Sequence, residues 1–277
     1  MKTVKNIADF RKLRTKLTAP LGFVPTMGYL HEGHLELVRQ ARAKNPSVAV
    51  SIFVNPTQFG PKEDFAQYPR DTERDLALLQ KKGVDIVFMP PAEEMYPPSF
   101  NSWVEVGKLA ECLEGAARPG HFRGVATVVA RLFDIVRPDR AYFGQKDAQQ
   151  LLVIKQMVVD LDLGIEIIAV PTVREPDGLA MSSRNTYLNA EERKQAVVLY
   201  QALKLAQKLY ADGEKDAKAI KAQMTALIGQ QPLANIEYIS IADAETLDEL
   251  DTVKPPALIS MAVRFGKTRL IDNVVVG

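Results

Sequence analysis

GFVPTMGYLHEGHLELVRQARAK, residues 22–44, joins a short apolar run to a glycine-containing turn and then to a segment with helical spacing. The apolar run Gly22–Pro25 is typical of a strand buried on both faces, and Leu35–Lys44 predicts a helix. The same alternation continues through the first two thirds of the chain. The further predicted strands are Val48–Val54, Val84–Met89, Ala141–Phe143 and Ile165–Val170, and the further predicted helices are Met1–Arg14, Thr72–Lys82, Val125–Val136 and Ala148–Leu161. Strands that alternate with helices indicate a parallel sheet covered on both faces.

The pattern changes after residue 175. Glu175–Gly178 has the composition of a turn, and Met181–Asn185 is polar and irregular. Two predicted helices and three predicted strands follow: Glu191–Asp212, Lys215–Ile228, Ile236–Ile241, Leu258–Val263 and Arg269–Asn273. We therefore predict an α/β fold with a Rossmann-like, doubly wound parallel sheet domain at 1–175, an active-site loop at 176–185 and a smaller α+β domain at 186–277.

Composition excludes several classes of function. Lys and Arg number 35 against 34 Asp and Glu, so the net charge of +1 provides no general field for nucleic acid or an acidic membrane. The single cysteine, Cys112, cannot form an internal disulfide, which fits a reducing compartment. The apolar stretch Leu151–Val173 fails the requirement of about 20 apolar residues for a membrane span, because it contains Lys155, Asp160, Asp162 and Glu166. We expect a cytoplasmic protein with no nucleic-acid or membrane partner.

The turn after the first predicted strand is the first candidate site. A helix N-terminus near His34 offers backbone N–H groups and positive dipole to a phosphate, and Gly33 leaves room for its approach. The three-residue spacing of His31 and His34 brings two imidazoles beside that ligand, where they can stabilise developing negative charge. Two other interpretations stay open: the histidines are zinc ligands, or they are capping and surface residues.

Polar residues follow two more predicted strands. The amides of Asn55 and Gln58 can orient a carboxylate without neutralising it, although a plain proline turn explains the same residues. Lys146 provides a point charge for phosphate oxygens, and the spacing predicts that Lys146 and Gln150 share one helix face. An exposed surface role for Lys146 stays open, as does a cap role for Asp147.

Two loops complete the candidates. Ser182, Ser183 and Arg184 are suited to close over a triphosphate, with a solvated interdomain linker as the alternative. The basic loop Arg118–Gly124 either lines a pocket or connects elements.

Five segments in this order resemble the pantothenate synthetase family: PTMGYLHEGH, SIFVNPTQF, RPGHFRGVATVV, FGQKDAQQ and VREPDGLAMSSRN. The first and last are also similar to the HIGH-type and KMSKS-type motifs of nucleotidyltransferases and class I aminoacyl-tRNA synthetases. The resemblance implies an ATP- and pantoate-binding sheet domain, Mg²⁺ and a cytoplasmic homodimer. No residue of the sequence is assigned as a metal ligand, and the protein contacts of Mg²⁺ stay open.

The resemblance also implies roles for individual residues. His34 corresponds to the proton-donor histidine, with His31 beside it, and Lys146 and Arg184 complete the catalytic set. Gln58 and Gln150, with Asn55, correspond to the substrate site. The implied ATP contacts are Met27, Gly28, Tyr29, Leu30, His31, Glu32, Gly33, His34, Gly144, Gln145, Lys146, Asp147, Val173, Met181, Ser182, Ser183 and Arg184.

The expected reaction is an ATP-dependent condensation of pantoate with β-alanine through pantoyl adenylate, which releases AMP and pyrophosphate. Two rivals stay open at this stage. A nucleotidyltransferase would use the same phosphate-binding residues with a phosphate acceptor, and a non-enzymatic nucleotide- or RNA-binding module would bind without turnover.

Overall fold

A computed structural model describes residues 1–61 and 63–277. Contacts between residues divide the chain into two units. The first holds Met1–Gln145 and Gln149–Pro171, and the second holds Thr172–Gly277 together with the short segment Lys146–Ala148.

The described part of the first unit is organised around a six-stranded sheet in which every pair is parallel. The strand order is β1-β4-β3-β2-β5-β6. The strands are β1 Lys2–Val4, β2 Leu21–Thr26, β3 Ser47–Ile52, β4 Ile86–Phe88, β5 Arg140–Gly144 and β6 Glu166–Val170. The helices of this part of the chain are α1 Ile7–Arg14, α2 Glu32–Lys44, α3 Thr72–Lys81, α4 Ala92–Met95, α5 Glu114–Ala117, α6 His121–Val136 and α7 Ala148–Asp160.

Successive residues of the central strand β2 pack into cores on opposite faces of the sheet. Phe23 belongs to a cluster with side chains of α1, α6 and α7, whereas Val24 belongs to one with side chains of α2 and α3. This alternation follows from the two-residue period of a strand. The predicted doubly wound sheet is confirmed, and its inner strands β2 and β3 are buried and largely apolar because helices cover both faces.

The second unit has its own antiparallel sheet of three strands within the described residues, in the order β7-β8-β9. Its elements are α8 Ala190–Ala196, α9 Val198–Ala211, α10 Ala217–Ile228, β7 Ala234–Asp243, β8 Ala257–Phe265 and β9 Thr268–Val276. Side chains of the helices pack with those of the sheet in a separate core that includes Leu203, Ile220 and Met261.

Three local predictions differ from the structure. The predicted N-terminal helix begins only at Ile7, because Lys2–Val4 pairs with β4 as an edge strand. The long helix predicted at Glu191–Asp212 is divided at Val197 into α8 and α9. Lys146 lies in a 3-10 turn before α7, so the prediction that Lys146 and Gln150 share one α-helical face is wrong.

Candidate active site

The order of the parallel strands locates the site. β2 lies between β3 and β5, so the chain winds away from β2 in one direction and later returns to its other side. Ligands of such sheets bind beyond the carboxyl ends of the strands at this switch point. The segments that follow β2, β3 and β5 begin at Met27, Phe53 and Gln145, and they contain many of the residues expected from the sequence, whereas Val173 and Met181–Arg184 follow β6.

The turn after β2 has two successive residues in the left-handed region. Gly28 has φ +83°, and Tyr29 has φ +50°, which is unusual for a residue with a side chain. A Cβ on Gly28 would lie 2.9 Å from Ile52 Cγ2 and 3.1 Å from Asp75 Oδ2, so glycine is required by both backbone and space.

Asp75 of α3 holds this turn. Its Oδ2 accepts the backbone N–H of Tyr29 at 2.7 Å, and its Oδ1 accepts that of Leu30 at 2.7 Å. The residue is 1% exposed. Burial raises the pKa of Asp75 against the opposing effect of the two N–H donors. The carboxylate therefore satisfies two backbone N–H groups of the turn that precedes α2.

Sequence reasoning missed Asp75, although one signal was present. Asp75 lies four residues before the buried Leu79 and thus on the inward stripe of α3. A charged residue at a core position indicates a buried partner.

His31 and His34 form the N-terminal cap of α2. Nδ1 of His31 accepts the N–H of Gly33 at 3.1 Å, and Nδ1 of His34 accepts the N–H of His31 at 3.3 Å. A nitrogen that accepts carries no proton, so each neutral ring carries its proton on Nε2. The ring centroids are 4.1 Å apart. The two histidines therefore cap the helix, as one of the open interpretations proposed. The cap orients both imidazole rings and leaves Nε2–H as the donor of each.

Gln58 and Met27 come together although they follow different strands. Gln58 ends a 3-10 turn at Pro56–Gln58, and its Nε2 lies 3.1 Å from Met27 Sδ. Asn55 Nδ2 donates to Gln58 Oε1 at 3.1 Å and to Gly124 O at 3.2 Å. Asn55 is 1% exposed, and its Oδ1 accepts from Tyr96 OH at 2.8 Å. In this geometry Asn55 orients Gln58, and its predicted contact with substrate stays a prediction.

A partly buried histidine, His121, contacts the backbone of Gln58. His121 Nδ1 lies 2.8 Å from Gln58 O, and Arg118 Nη1 lies 3.0 Å from His121 Nε2. Because a guanidinium can only donate, Nε2 accepts and Nδ1–H donates to the carbonyl. Burial and the neighbouring Arg118 lower the pKa of His121 to about 4.

Glu63 fixes the Arg118 side chain. It accepts from Arg118 Nε at 2.8 Å and from Nη2 at 2.5 Å. Burial acts to raise the pKa of Glu63, but the contact with Arg118 outweighs it, and the pKa lies below its usual range. The segment Arg118–Gly124, whose role the sequence left open, contains the first turn of α6 and anchors the segment that carries Gln58.

The segment after β5 divides between the two units. Gly144 ends β5 and pairs with Val170, and Gln145 is the last residue of that segment in the first unit. Lys146 and Asp147 belong by their contacts to the second unit, where Lys146 Nζ lies 3.5 Å from Asp147 Oδ1. Gln150 is the third residue of α7.

The segment 173–184 forms a hairpin in the second unit. Met181 donates its N–H to Val173 O at 3.0 Å, and Arg174 pairs with Ala180 in an antiparallel bridge. Ser182 then caps a 3-10 turn at Ser183–Tyr187, where its Oγ accepts the N–H of Arg184 at 3.3 Å. The predicted serines and arginine therefore begin an ordered turn.

The described residues contain no group of three or more His, Cys, Asp or Glu side chains that could hold a metal ion. Nor does any helix in the described ranges have the length and apolar character to cross a membrane.

A doubly wound parallel sheet, with a glycine turn and a capped helix at its switch point, defines an α/β protein of the nucleotide-binding type. A sequence model of the family described as pantoate-β-alanine ligase matches residues 1–275. The chain therefore belongs to the pantoate-β-alanine ligase family.

Individual relatives agree in length and structure. The pantothenate synthetase of Chloroflexus aurantiacus is 62% identical over 274 residues, 99% of this chain and 97% of that protein. The crystal structure of pantothenate synthetase from Thermus thermophilus has a TM-score of 0.95 at 52% identity and covers 99% of both chains. The pantoate-β-alanine ligase of Francisella tularensis, crystallised with βγ ATP and β-alanine, has a TM-score of 0.82 at 35% identity over 100% of this chain and 99% of its own.

Proposed function

We propose that the protein condenses (R)-pantoate with β-alanine to pantothenate, with ATP consumed and AMP and pyrophosphate released. The observation that carries this proposal is the His31–His34 cap at the switch point of a chain whose residues 1–275 match the ligase family. The ligands crystallised with the Francisella relative, βγ ATP and β-alanine, are the classes of substrate that this reaction requires.

ATP binding is assigned to three segments. The first is Met27 to His34, where the Nε2–H groups of His31 and His34 are donors for phosphate oxygens. The second is Gly144 to Asp147, with Lys146 as a point charge. The third is Val173 with Met181 to Arg184, where a guanidinium and two hydroxyl groups suit a triphosphate.

Gln58 and Gln150 orient the pantoate. A carboxamide binds a hydroxyl or carboxylate through neutral donors and acceptors, so the carboxylate keeps its negative charge and its nucleophilicity. The pair of contacts that hold Gln58, from Asn55 at its side chain and from His121 at its carbonyl, reduces the freedom lost when substrate binds.

The reaction proceeds in two steps. A pantoate carboxylate oxygen attacks the α-phosphorus of ATP, the bond from that phosphorus to the bridging oxygen breaks, and pyrophosphate leaves. His31, His34, Lys146 and Arg184 offset the charge that develops on the departing phosphates, with His34 as proton donor, so catalysis is positioning and electrostatics. The neutral amine of β-alanine then attacks the acyl carbon, the acyl C–O bond breaks, AMP leaves, and the nitrogen gives up one proton to solvent.

Mg²⁺ enters this scheme with the nucleotide. The described residues build no carboxylate cluster for it, and both oxygens of the buried Asp75 accept backbone N–H groups. Mg²⁺ is commonly held through substrate phosphates and water, where it neutralises phosphate charge. MgATP is therefore the substrate we propose.

A cytoplasmic homodimer is the proposed form of the enzyme. β6 lies at the edge of the sheet, and on the segment that precedes it Val159 is 72% exposed and Leu161 is 50% exposed. An edge strand beside exposed apolar side chains is suited to a second copy of the chain. Val159→Glu should then shift the sedimentation coefficient towards that of a monomer; an unchanged dimer would place the interface elsewhere.

The test of function is AMP release from MgATP, with pantoate and β-alanine each omitted in turn. We expect AMP only with both substrates, and exchange of labelled pyrophosphate into ATP that depends on pantoate alone. A folded protein that binds ATP but releases no AMP and supports no exchange would contradict the ligase assignment. A nucleotidyltransferase with a phosphate acceptor and a nucleotide-binding module without turnover would then be the remaining interpretations of the site.

A further inference from the structure

Two adjacent residues of β9, Asp272 and Asn273, connect segments that lie far apart in the chain. Asp272 is 1% exposed and Asn273 is 5% exposed. Both are polar residues in the interior of a strand, where buried polar groups are expected to have specific partners.

Asp272 holds the hairpin that leads into Met181–Arg184. Its carboxylate accepts from Arg174 Nη1 at 2.6 Å and from Nη2 at 2.9 Å. Arg174 Nη1 also donates to Gly178 O at 3.0 Å, and the guanidinium carbon lies 4.5 Å from the centre of the Tyr200 ring. A buried bidentate pair of this kind fixes the direction of the side chain as well as its position.

Asn273 holds the backbone of Lys146. Its Nδ2 donates to Lys146 O at 2.8 Å, across 127 positions of sequence. Asn273 N–H donates to Asp272 Oδ1 at 2.8 Å, so the two contacts share one rigid stretch of strand. This bond is one of the contacts by which Lys146–Ala148 belongs to the second unit.

We infer that Asp272 and Asn273 are positioning residues that hold the Lys146 segment and the 174–184 segment as one module for binding the polyphosphate of ATP. The inference rests on the proposed function, in which Lys146 and Arg184 contact that polyphosphate. Neither β9 residue touches the nucleotide in this scheme. Asn273 acts through the backbone of Lys146 and Asp272 acts through the guanidinium of Arg174, and each contact reduces the cost of ordering its segment on binding.

The test is a double-mutant cycle on the affinity for the β,γ-imido analogue of ATP, measured by calorimetry without pantoate. Asn273→Ala removes the donor to Lys146 O and should weaken binding about tenfold, the effect of one buried hydrogen bond. In a Lys146→Met background the same change should weaken binding less than about twofold, because its effect passes through Lys146. A purely structural role would give equal effects in both backgrounds, and that result would overturn the inference.

A second cycle tests the other half of the module and does not depend on the folding of the Asn273 variant. Arg174→Lys keeps the positive charge but loses the bidentate contact with Asp272, so it should weaken binding of the analogue. This weakening should disappear in an Arg184→Met background. The matched control is Glu237→Gln, which disturbs an ion pair with Arg269 in the same sheet and should change affinity less than about twofold in every background. Additive effects in this cycle would also overturn the inference.

An incorrect ligase assignment and an incorrect positioning role give different experimental results. A wild-type protein that binds the analogue but releases no AMP with pantoate and β-alanine contradicts the ligase assignment, whereas the two cycles still measure the coupling. A wild-type protein that does not bind the analogue overturns both.

Discussion

Acidification should destabilise the first unit through one histidine. The His121 ring accepts from Arg118 and donates to Gln58 O, and its pKa falls from 6.5 to about 4. A lowered pKa means that folding favours the neutral ring, since protonation would place a cation 3.0 Å from a guanidinium. The stabilisation is fully present above pH 6.5 and is lost as the pH falls from 6.5 towards 4. The size of this shift corresponds to about 3 kcal/mol.

The groups that face His121 set the size of the effect. Arg118 opposes its protonation, as burial does, whereas the carbonyl of Gln58 and the carboxylates of Glu63 and Glu114 favour it. Acid also protonates other carboxylates of the protein, so wild type alone cannot isolate the histidine. His121→Asn supplies the comparison, because its amide can donate to Gln58 O and does not titrate.

The assay is urea unfolding of both proteins between pH 7.5 and 4, followed by the fluorescence of the single tryptophan, Trp103, which lies in the first unit. The difference in free energy of unfolding between wild type and His121→Asn should fall by about 3 kcal/mol over this range and stay constant above pH 7. A difference that is independent of pH would refute the reasoning. So would a nitrogen NMR spectrum of the folded protein with the proton of His121 on Nε2.

Three further perturbations follow from the site. Asp75→Asn offers an N–H where a backbone N–H needs an acceptor, so the free energy of unfolding should fall by about 1–3 kcal/mol. The KM for ATP should rise more than the KM for pantoate. Equal changes in the two KM values would exclude a specific role of Asp75 in the turn at Gly28–Leu30. Gly124→Ala would place a Cβ 2.3 Å from Thr57 O, so we expect a lower melting temperature and a higher KM for pantoate. Unchanged kinetics would show that the 3-10 turn Pro56–Gln58 can move aside. His34→Ala should lower kcat for adenylation about 100-fold or more with little change in ATP affinity; a rise in KM alone, seen in pyrophosphate exchange, would argue against a transition-state role.

Much of the fold could be predicted from local sequence. The runs that became β2, β3, β5 and β6 are short and largely apolar; β2, β3 and β5 are mostly buried, and a strand buried on both faces leaves little choice of residue. The residues after those strands could be chosen as candidates because parallel strands present their carboxyl ends at one edge. The short β1 was missed since Lys2–Val4 carries a charge and is too brief to show a period.

The parallel sheet, the histidine pair beside a helix N-terminus and the order of the five family segments could be read from local sequence, because each is encoded within a few neighbouring residues. The side-chain contacts that hold these segments in place are visible only in the folded protein. Asp75 lies 46 residues from Tyr29, His121 lies 63 from Gln58, and Asp272 lies 98 from Arg174. Burying a charged or polar side chain is favourable only when its partner is in place. The order of residue types along the chain does not identify the distant partner of a buried polar side chain. Only the folded backbone brings the two residues together.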